Sequence, residues 1–393
     1  MPGKRGNSEG TIRKRSDGRW ESRLVLPDGE RKSLYGKTRQ EAMQRLDRER
    51  LRREQGLASL NERQTVADYL REWMEAKRHR VRQGTAIRYQ AEVRLRLIPG
   101  LGNIPLTKLS PQHLQSFYAR LLSAGTSPGM VAYCHHVLYT ALEEAMRFGL
   151  VPRNVADLVD PPRKSRRELA VYDEDQARKL IAAASGDRFE ALCILVLATG
   201  MRQGGLLALR WSEVNLDKST LTVRATLQQY PGQRPSREET KTTHSERMIA
   251  LPQTAVKALT QHYKLQQKEQ ARLGAAWNAC DLVFPNTIGN PVHASSFRSR
   301  WWRVLVRKAV LPYIRFHDLR HTAATLLLGR GVPVKVVSEM LGHANVSITL
   351  NMYGHVLPHM QQQAAQTMDA ILSGDEPLGS NEGSNLLSNE EHG

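Results

Sequence analysis

Short runs of alternating apolar and polar residues mark the amino-terminal part of the chain. They cover residues 11–15, 20–26 and 32–35, with Asp17-Gly18 and Asp28-Gly29 between them. Asp-Gly between alternating segments is typical of a hairpin, because a type I′ turn needs positive φ at both central residues. The pattern therefore predicts a three-stranded antiparallel sheet. Thr38 and Glu41 then have the spacing of a capping box, which predicts a helix to about residue 55.

Apolar positions at helical spacing follow from Thr65 onward. Thr65 caps the first predicted helix, and Ser110-Pro111 and Ser127-Pro128 each place a cap and a first-turn proline before another. The four predicted helices span residues 65–79, 85–97, 110–124 and 127–149, and the Pro- and Gly-containing residues 98–109 turn the chain. We therefore predict a small sheet domain at residues 1–56 and a helical domain at residues 62–155, with a linker near residues 56–64.

A charged stretch with two prolines, residues 160–168, marks the next boundary. Beyond it the pattern predicts a larger unit, residues 168–372, that is mainly helical with a small β-sheet. Strands are predicted at residues 220–226 and 247–251, and helices at residues 173–184, 189–199, just after Gly204, 254–273, 295–309, 317–329, 333–341, 347–353 and 360–372. The predicted fold class is multi-domain α+β. Residues 373–393 hold five acidic and no Lys or Arg side chains, which predicts a disordered acidic tail.

The net charge of the chain indicates which kind of binding partner to expect. The formal net charge is +18 at pH 7 and the pI is near 10.1, which favours a polyanion. Arg outnumbers Lys by 42 to 15, and its planar fork matches phosphate oxygens, so nucleic acid is favoured. A GC-rich genome would produce the same bias, and that explanation stays open. Basic residues also crowd the predicted amino-terminal sheet, which suits a DNA groove, although a solvated sheet face is the alternative.

The sequence disfavours several other classes of protein. The longest apolar run, residues 191–198, is too short to span a bilayer. No basic-then-apolar leader opens the chain, so we expect a cytoplasmic protein. The three cysteines, Cys134, Cys193 and Cys280, are isolated, which argues against a disulfide framework.

The chain is organised around Arg315-Phe316-His317-Asp318-Leu319-Arg320-His321-Thr322. His317 and Arg320 are three residues apart, so on a helix they share one face and can reach one bound anion. Leu341-Gly342-His343 and Asn351-Met352-Tyr353 follow this octet. Two earlier stretches complete the set: Thr199-Gly200-Met201-Arg202, and the segment from Lys241 to Pro252.

Taken together, in this order and at these spacings, the motifs resemble those of tyrosine recombinases, in particular phage and conjugative-element integrases. The resemblance covers nearly the whole chain. It implies an arm-type DNA-binding domain at residues 1–56, a core-binding domain at residues 62–155 and a catalytic domain at residues 168–372. It further implies a homotetramer on double-stranded DNA core and arm sites, integration and excision of a mobile element in a prokaryotic host, and an accessory DNA-bending or directionality protein as a candidate partner.

The resemblance also assigns roles. The matched positions are Arg202, Lys241, His317, Arg320, His343 and Tyr353. Arg202 and Arg320 match the arginine pair that clamps the scissile phosphate. His317 matches the histidine that starts the His-x-x-Arg motif, and His343 matches the histidine or tryptophan that follows it. Lys241 matches the lysine of a β-hairpin, and Tyr353 matches the nucleophile.

The chemistry explains why such residue types are needed. An ordinary tyrosine has a pKa near 10, so its phenolate costs about 4 kcal/mol at pH 7, which cations or a general base must offset. Attack on a phosphodiester builds negative charge on the non-bridging oxygens, and two guanidinium groups stabilise it without a metal. Lys241 would then protonate the 5′ oxygen. Because a phosphotyrosine linkage keeps the bond energy, a second DNA end rejoins without ATP, and no cofactor is predicted.

Simpler interpretations stay open at each position. Tyr353 also fits a helix-end aromatic, Arg202 and Arg320 fit structural ion pairs, and His343 fits a helix cap. Arg residues on both sides of Lys241 loosen its alignment.

We expect His321 to be a packed helix residue. His317 and His321 have the i, i+4 spacing of a zinc helix, but an aspartate stands where metalloproteases of that type place Glu. No third ligand is evident, so no metal is predicted.

One position departs from the family pattern. The residue three after the first arginine is usually Glu or Asp, and here it is Gly205. Either a nearby carboxylate such as Glu213 substitutes, or the site is looser and slower. We predict that Gly205→Glu raises cleavage activity. The departure also motivates the alternative of a DNA-binding protein of the same fold with an impaired site, beside a type IB-like topoisomerase or resolvase.

Overall fold

The computed structural model describes residues 11–25, 31–54, 63–163, 169–239, 246–354 and 359–373. The chain divides into two compact units, residues 1–167 and residues 168–393. Several predictions fall outside the described residues: the Asp28-Gly29 turn, most of the linker at residues 56–64, much of the stretch at residues 160–168, the Lys241 position and the acidic tail after residue 373.

The predicted amino-terminal sheet is confirmed. Its strands are β1 (Thr11–Lys14), β2 (Trp20–Val25) and β3 (Arg31–Gly36), antiparallel and in the order β1-β2-β3. Helix α1 (Arg39–Glu54) covers one face, where Leu24, Ala42 and Leu46 are buried. The backbone N of Glu41 donates to Thr38 Oγ1 at 3.1 Å, as the capping box predicts.

The predicted type I′ turn at Asp17-Gly18 is wrong. Gly18 has φ of 81°, but Asp17 does not have positive φ. Gly18 N donates to Arg15 O at 3.1 Å, which produces a three-residue loop with the glycine in the left-handed position. The reason is local: the Asp17 carboxylate accepts a hydrogen bond from Arg19 N at 3.1 Å, and this contact favours an Asx turn.

The four predicted helices of the next segment are confirmed, with one extension. Their bounds are α2 (Val66–Lys77), α3 (Gln83–Glu92), α4 (Ile98–Leu101), α5 (Pro111–Ser123) and α6 (Pro128–Arg147). A π-helical turn, Val93–Leu97, joins α3 to α4, so residues 98–101 are helical where a turn was predicted. Pro99 has no N–H to donate, and the wide turn before it tolerates that loss. Thr65 forms the capping box with Asp68 that begins α2.

The second unit packs helices around small antiparallel sheets, so the predicted multi-domain α+β fold is confirmed. Its helices are α7 (Glu174–Ala184), α8 (Glu190–Thr199), α9 (Gln203–Ala208), α10 (Gln253–Leu273), α11 (Ala294–Ser296), α12 (Arg303–Lys308), α13 (Asp318–Gly329), α14 (Val334–Leu341), α15 (Val346–Tyr353) and α16 (His359–Ser373). A π-helical segment, Phe297–Trp302, joins α11 to α12. The core includes Leu192, Phe284 and Trp302.

The strands of this unit differ from the prediction. The single strand predicted at residues 220–226 breaks at Arg224 into β5 (Thr220–Val223) and β6 (Ala225–Gln228). One sheet has the order β4-β5-β8, with β4 (Val214–Asn215) and β8 (Arg247–Ala250), and β6 pairs with β7 (Ser236–Glu239) in a second. The strands β4 and β7 were not predicted, because β4 has two residues and β7 is polar throughout.

No helix in the described part of the chain is long and apolar enough to cross a membrane. All three cysteines are free thiols, and Cys134 and Cys193 are buried.

Candidate active site

The turn that precedes Arg202 is fixed by Gly200. Helix α8 ends on this glycine, which has φ of 59°, a region that disfavours residues with a Cβ. A Cβ at this position would also lie 2.5 Å from Leu341 Cδ2. Glycine is therefore required for backbone conformation and for the approach of Leu341. The Arg202 side chain leaves this turn exposed to solvent, and partial burial of its guanidinium lowers its pKa.

Arg320 lies on α13 and is only 2% exposed. Its Nη1 donates to the carbonyl oxygen of Gly200 at 2.8 Å, so the second arginine is tied to the turn of the first. Its Nη2 is buried and has no hydrogen-bond partner among the residues that the structure describes. Burial, with the charge of Arg202, lowers the pKa of Arg320 to about 9, so the side chain remains a cation at pH 7. A buried cation with an open donor is suited to an anion.

Tyr353 ends α15 and is 1% exposed, packed against Ala324, Leu328 and Leu341. Burial raises the pKa of its phenol to about 12, although the charge of Arg320 acts in the opposite direction. The phenol is therefore neutral at pH 7.

His321 is buried on α13, as expected of a packed helix residue, and its Nδ1 also lies 2.6 Å from the hydroxyl of Tyr353. Burial, followed by the charge of a protonated His317, lowers the pKa of His321 to about 4, so its ring is neutral at pH 7. With the proton assigned to Nε2, Nδ1 accepts the hydrogen bond from the phenol. The sequence signals for this contact were the place of His321 directly after Arg320 in the octet and its i, i+4 spacing from His317, which fits a zinc helix as well.

The other two predicted histidines face the same arginines. His317 is exposed to solvent as a whole residue, but its ring is partly buried. This partial burial, and then the charge of Arg320, lowers the pKa of the ring. His343 follows the left-handed Gly342, and its Nδ1 lies 2.8 Å from the buried Thr349 Oγ1. This contact fixes the ring and leaves Nε2 as its second polar atom. Burial, then the charges of Arg320 and Arg202, lower the pKa of His343 to about 4.

Arg247 is a member of the cluster that sequence reasoning missed. Its Nε donates to the carbonyl oxygen of Met340 at 2.7 Å. Burial and the charge of Arg202 lower the pKa of Arg247 to about 10. In the sequence it was visible only as an arginine near Lys241, and its partner is 93 residues away along the chain.

The structure also decides one question about Gly205. Glu213 forms an ion pair with Arg237 and accepts a hydrogen bond from Arg210 N at 3.0 Å, so it does not substitute for the missing acidic residue. Of the two outcomes left open at Gly205, the looser site is therefore the one that remains. A Cβ on Gly205 would meet Met201 Cε at 3.6 Å and Val223 Cγ1 at 3.7 Å, which are ordinary contacts.

Five of the six predicted positions therefore lie close enough together to interact. Arg320 contacts the Arg202 turn, its charge acts on His317, His343 and Tyr353, and the sixth position, Lys241, lies outside the described residues. Within the described ranges no group of three or more His, Cys, Asp or Glu side chains is arranged to hold a metal ion.

Comparison with known proteins identifies the family of the chain. Residues 170–360 match the model of the phage integrase family, and residues 65–122 match the model of the phage integrase N-terminal SAM-like domain. A protein of Caldanaerobacter subterraneus subsp. tengcongensis named tyrosine recombinase XerC-like is 30% identical over 360 residues, which covers 87% of this chain and 92% of that protein.

Two solved structures share the fold. One is the integrase of the transposon Tn1549 in complex with a circular intermediate DNA, with a TM-score of 0.66 and 20% identity over 78% of this chain and 99% of that chain. The other is a lambda integrase tetramer bound to a Holliday junction, with a TM-score of 0.54 and 18% identity over 88% of this chain and 96% of that chain. By its 30% identical relative and its family match, the chain belongs to the phage integrase family and is a tyrosine-type site-specific DNA recombinase.

Proposed function

We propose that a scissile DNA phosphate binds between Arg202 and Arg320 and that Tyr353 attacks its phosphorus. His317 and His343 donate to the non-bridging oxygens, and Lys241 delivers a proton to the departing 5′ oxygen. The observation that supports this most directly is the buried Nη2 of Arg320, which has no partner in the described part of the protein. A buried donor left unpaired costs about 1–3 kcal/mol, and a phosphate oxygen would remove that cost with a charge-assisted bond.

The cleavage step exchanges one phosphodiester for another. A bond forms between the phenol oxygen and phosphorus while the bond from phosphorus to the 5′ oxygen breaks. The phenol loses its proton and the 5′ oxygen gains one, so the products are a 3′-phosphotyrosine and a 5′-hydroxyl. A second 5′-hydroxyl can reverse the exchange on another strand, which is recombination without ATP.

The test begins with the DNA that cross-links to the protein, because its sequence identifies a substrate. A nicked duplex built on that sequence traps the covalent intermediate, since the short 5′ fragment diffuses away. We expect a 3′-linked adduct with the wild-type protein, none with Tyr353→Phe, and an unchanged yield with Tyr263→Phe, an exposed tyrosine on α10. No adduct from the wild-type protein would instead favour a DNA-binding protein with an impaired site.

We further propose that the amino-terminal sheet, in the predicted domain of residues 1–56, binds arm sites. Ser22 and Leu24 face α1, so the opposite face carries Glu21 and Arg23. Glu21 is 1% exposed and accepts from Arg13 at 2.8 Å and from Arg23 at 3.0 Å, which orients both guanidinium forks. Replacing both arginines with Ala should weaken arm-site binding and lower its salt dependence, with core-site binding unchanged.

The tetramer is proposed to assemble through α16. Met368, Ile371 and Leu372 are 53%, 67% and 78% exposed at the end of this helix, and we propose that they pack on a neighbouring subunit. Truncation after Gly354 should then abolish tetramers and spare single-site binding, and replacing the three apolar residues with Ser should reproduce this. Tetramers that still form after both changes would refute the proposed packing of α16 on a neighbouring subunit.

In its biological setting, we propose that the protein integrates and excises a mobile element on the nucleoid of a prokaryotic cytoplasm. An accessory DNA-bending or directionality protein completes the proposed assembly. The transposon integrase among the structural neighbours supports the mobile element.

A further inference from the structure

The turn that carries His343 is held by Arg247, the first residue of β8. Arg247 Nε donates to Met340 O at 2.7 Å, near the carboxyl end of α14. A Cβ built on Gly342 would lie 2.7 Å from Arg247 Nη1 and 2.9 Å from its Cζ, so the guanidinium packs directly against the Gly342 backbone. One residue earlier, Leu341 contacts Gly200 in the turn of the first arginine. Arg247 is therefore joined through one short turn to both His343 and the Arg202 segment.

If Arg247 only capped the carbonyl groups of α14, its bond to Met340 would be explained. Its interaction with the other charged residues of the site would not. Its charge is one of those that lower the pKa values of Arg320 and His343, and the charge of Arg202 acts on it in turn. Three partly buried guanidinium groups repel one another, and the repulsion is strong where water is excluded. An anion among them would reverse the sign of that interaction.

Resting on the proposed function, we infer that Arg247 is a further positioning residue of the recombination site. Its guanidinium fixes the turn that presents His343 and adds a third positive charge to the phosphate clamp of Arg202 and Arg320. The pentacoordinate phosphorus of the transition state carries more negative charge on its non-bridging oxygens than the starting diester does. A third fixed cation therefore stabilises the transition state more than the bound substrate.

Lysine cannot reproduce this arrangement. The fork of Arg247 donates through Nε to Met340 while Nη1 and Cζ contact Gly342. A lysine ammonium is a point charge on a flexible stem, so it can supply the charge or the bond but not both contacts.

The experiment measures single-turnover adduct formation by the full-length protein on two nicked duplexes. They differ only at the scissile position, which carries either a phosphodiester or a methylphosphonate, in which a methyl group replaces one charged oxygen. Arg247→Met removes the charge and keeps the length. We expect it to lower the adduct rate about 100-fold on the phosphodiester, as for loss of one oxyanion donor, and by a clearly smaller factor on the methylphosphonate, where only the loss of the turn contacts remains. Arg247→Lys should give an intermediate rate on the phosphodiester.

Gly342→Ala is the matched control for position alone. Its added Cβ meets the Arg247 guanidinium, and φ at this residue is 68°, so it displaces the turn without removing a charge. We expect it to slow both substrates by the same factor, with thermal melting showing that each variant is folded. Equal slowing of both substrates by Arg247→Met, or a wild-type rate on both, would overturn the inference. A wild-type protein that forms no adduct, or an adduct that persists in Tyr353→Phe, would overturn the proposed function instead.

Discussion

If Tyr353 is the nucleophile, as proposed, its contact with His321 predicts which group accepts the phenol proton. Nδ1 lies 2.6 Å from the phenol oxygen, and the ring is neutral at pH 7 because its pKa is lowered to about 4. A neutral imidazole within hydrogen-bond reach of a hydroxyl is the arrangement of a general base. We therefore expect His321 to take the proton as the bond to phosphorus forms.

The size of the effect follows from the phenol. At pH 7 a phenol with a pKa of about 12 costs about 7 kcal/mol to ionise, against about 4 for an ordinary tyrosine. Attack by a free phenolate is therefore disfavoured, and proton transfer during attack avoids that cost. General-base catalysis contributes about 10² to 10⁴ in rate, so His321→Ala should slow adduct formation by at least about 100-fold.

The assay is adduct formation on the nicked duplex, with three comparisons. His321→Gln keeps a hydrogen-bond acceptor but cannot carry the proton, so it should restore stability and not rate. Added imidazole should partly rescue His321→Ala. His293→Ala, at an exposed histidine bonded to Gln229, should match the wild type. A wild-type rate in His321→Gln would refute proton acceptance by this residue.

Three further predictions follow from other positions. Gly205→Glu should raise the adduct rate about two- to fivefold, because the new carboxylate pairs with Arg202. Gly205→Gln has equal size and no charge, so it should not raise the rate. An equal or lower rate for Gly205→Glu on the nicked duplex counts against this prediction. The free energy of unfolding should fall as pH drops from 6.5 toward 4. The pKa values of His321 and His343 are lowered in the folded protein, so the unfolded chain binds protons at a higher pH than the folded protein does. Melting curves of a variant with Gln at both positions should show a weaker dependence of stability on pH. Val310→Gly should raise the free energy of unfolding by about 1 kcal/mol, since this 89% exposed valine has φ of 54°, whereas Val336→Gly on α14 should lower it by a similar amount.

Local signals explain how much of the fold could be predicted. Thr65 and Ser127 each accept a backbone hydrogen bond at the start of their helix, and these caps depend on residues three positions apart. The break at Arg224 depends instead on which partners the flanking strands find, since β5 pairs with β8 and β6 with β7. Strand partners far along the chain leave no local pattern to read.

The candidate site divides in the same way. The matched positions could be assigned because each belongs to a short motif whose spacing resembles a known family. His321 and Arg247 could not, because each acts through a partner 32 or 93 residues away. His321 follows Arg320 directly and so lay inside the motif, yet its spacing alone also fitted a packed residue. The contact with the phenol depends on how α13 and α15 pack, and that packing is seen only in the three-dimensional structure.

The arginines and Tyr353 are held by different contacts, and this difference bears on the proposed attack. Arg320 is bonded to Gly200, and Gly200 is in turn wedged against Leu341, so displacing the clamp would disturb two turns and a helix end. Among the described residues, the Tyr353 hydroxyl has one hydrogen-bond contact, with the His321 side chain. In the proposed function, the positive charge that stabilises the transition state is therefore held in place before DNA arrives, which is where preorganisation contributes most to rate. Bringing the phenol oxygen into line with phosphorus is then the remaining adjustment, and substitutions that loosen α15 should change the rate of cleavage more than the affinity for DNA.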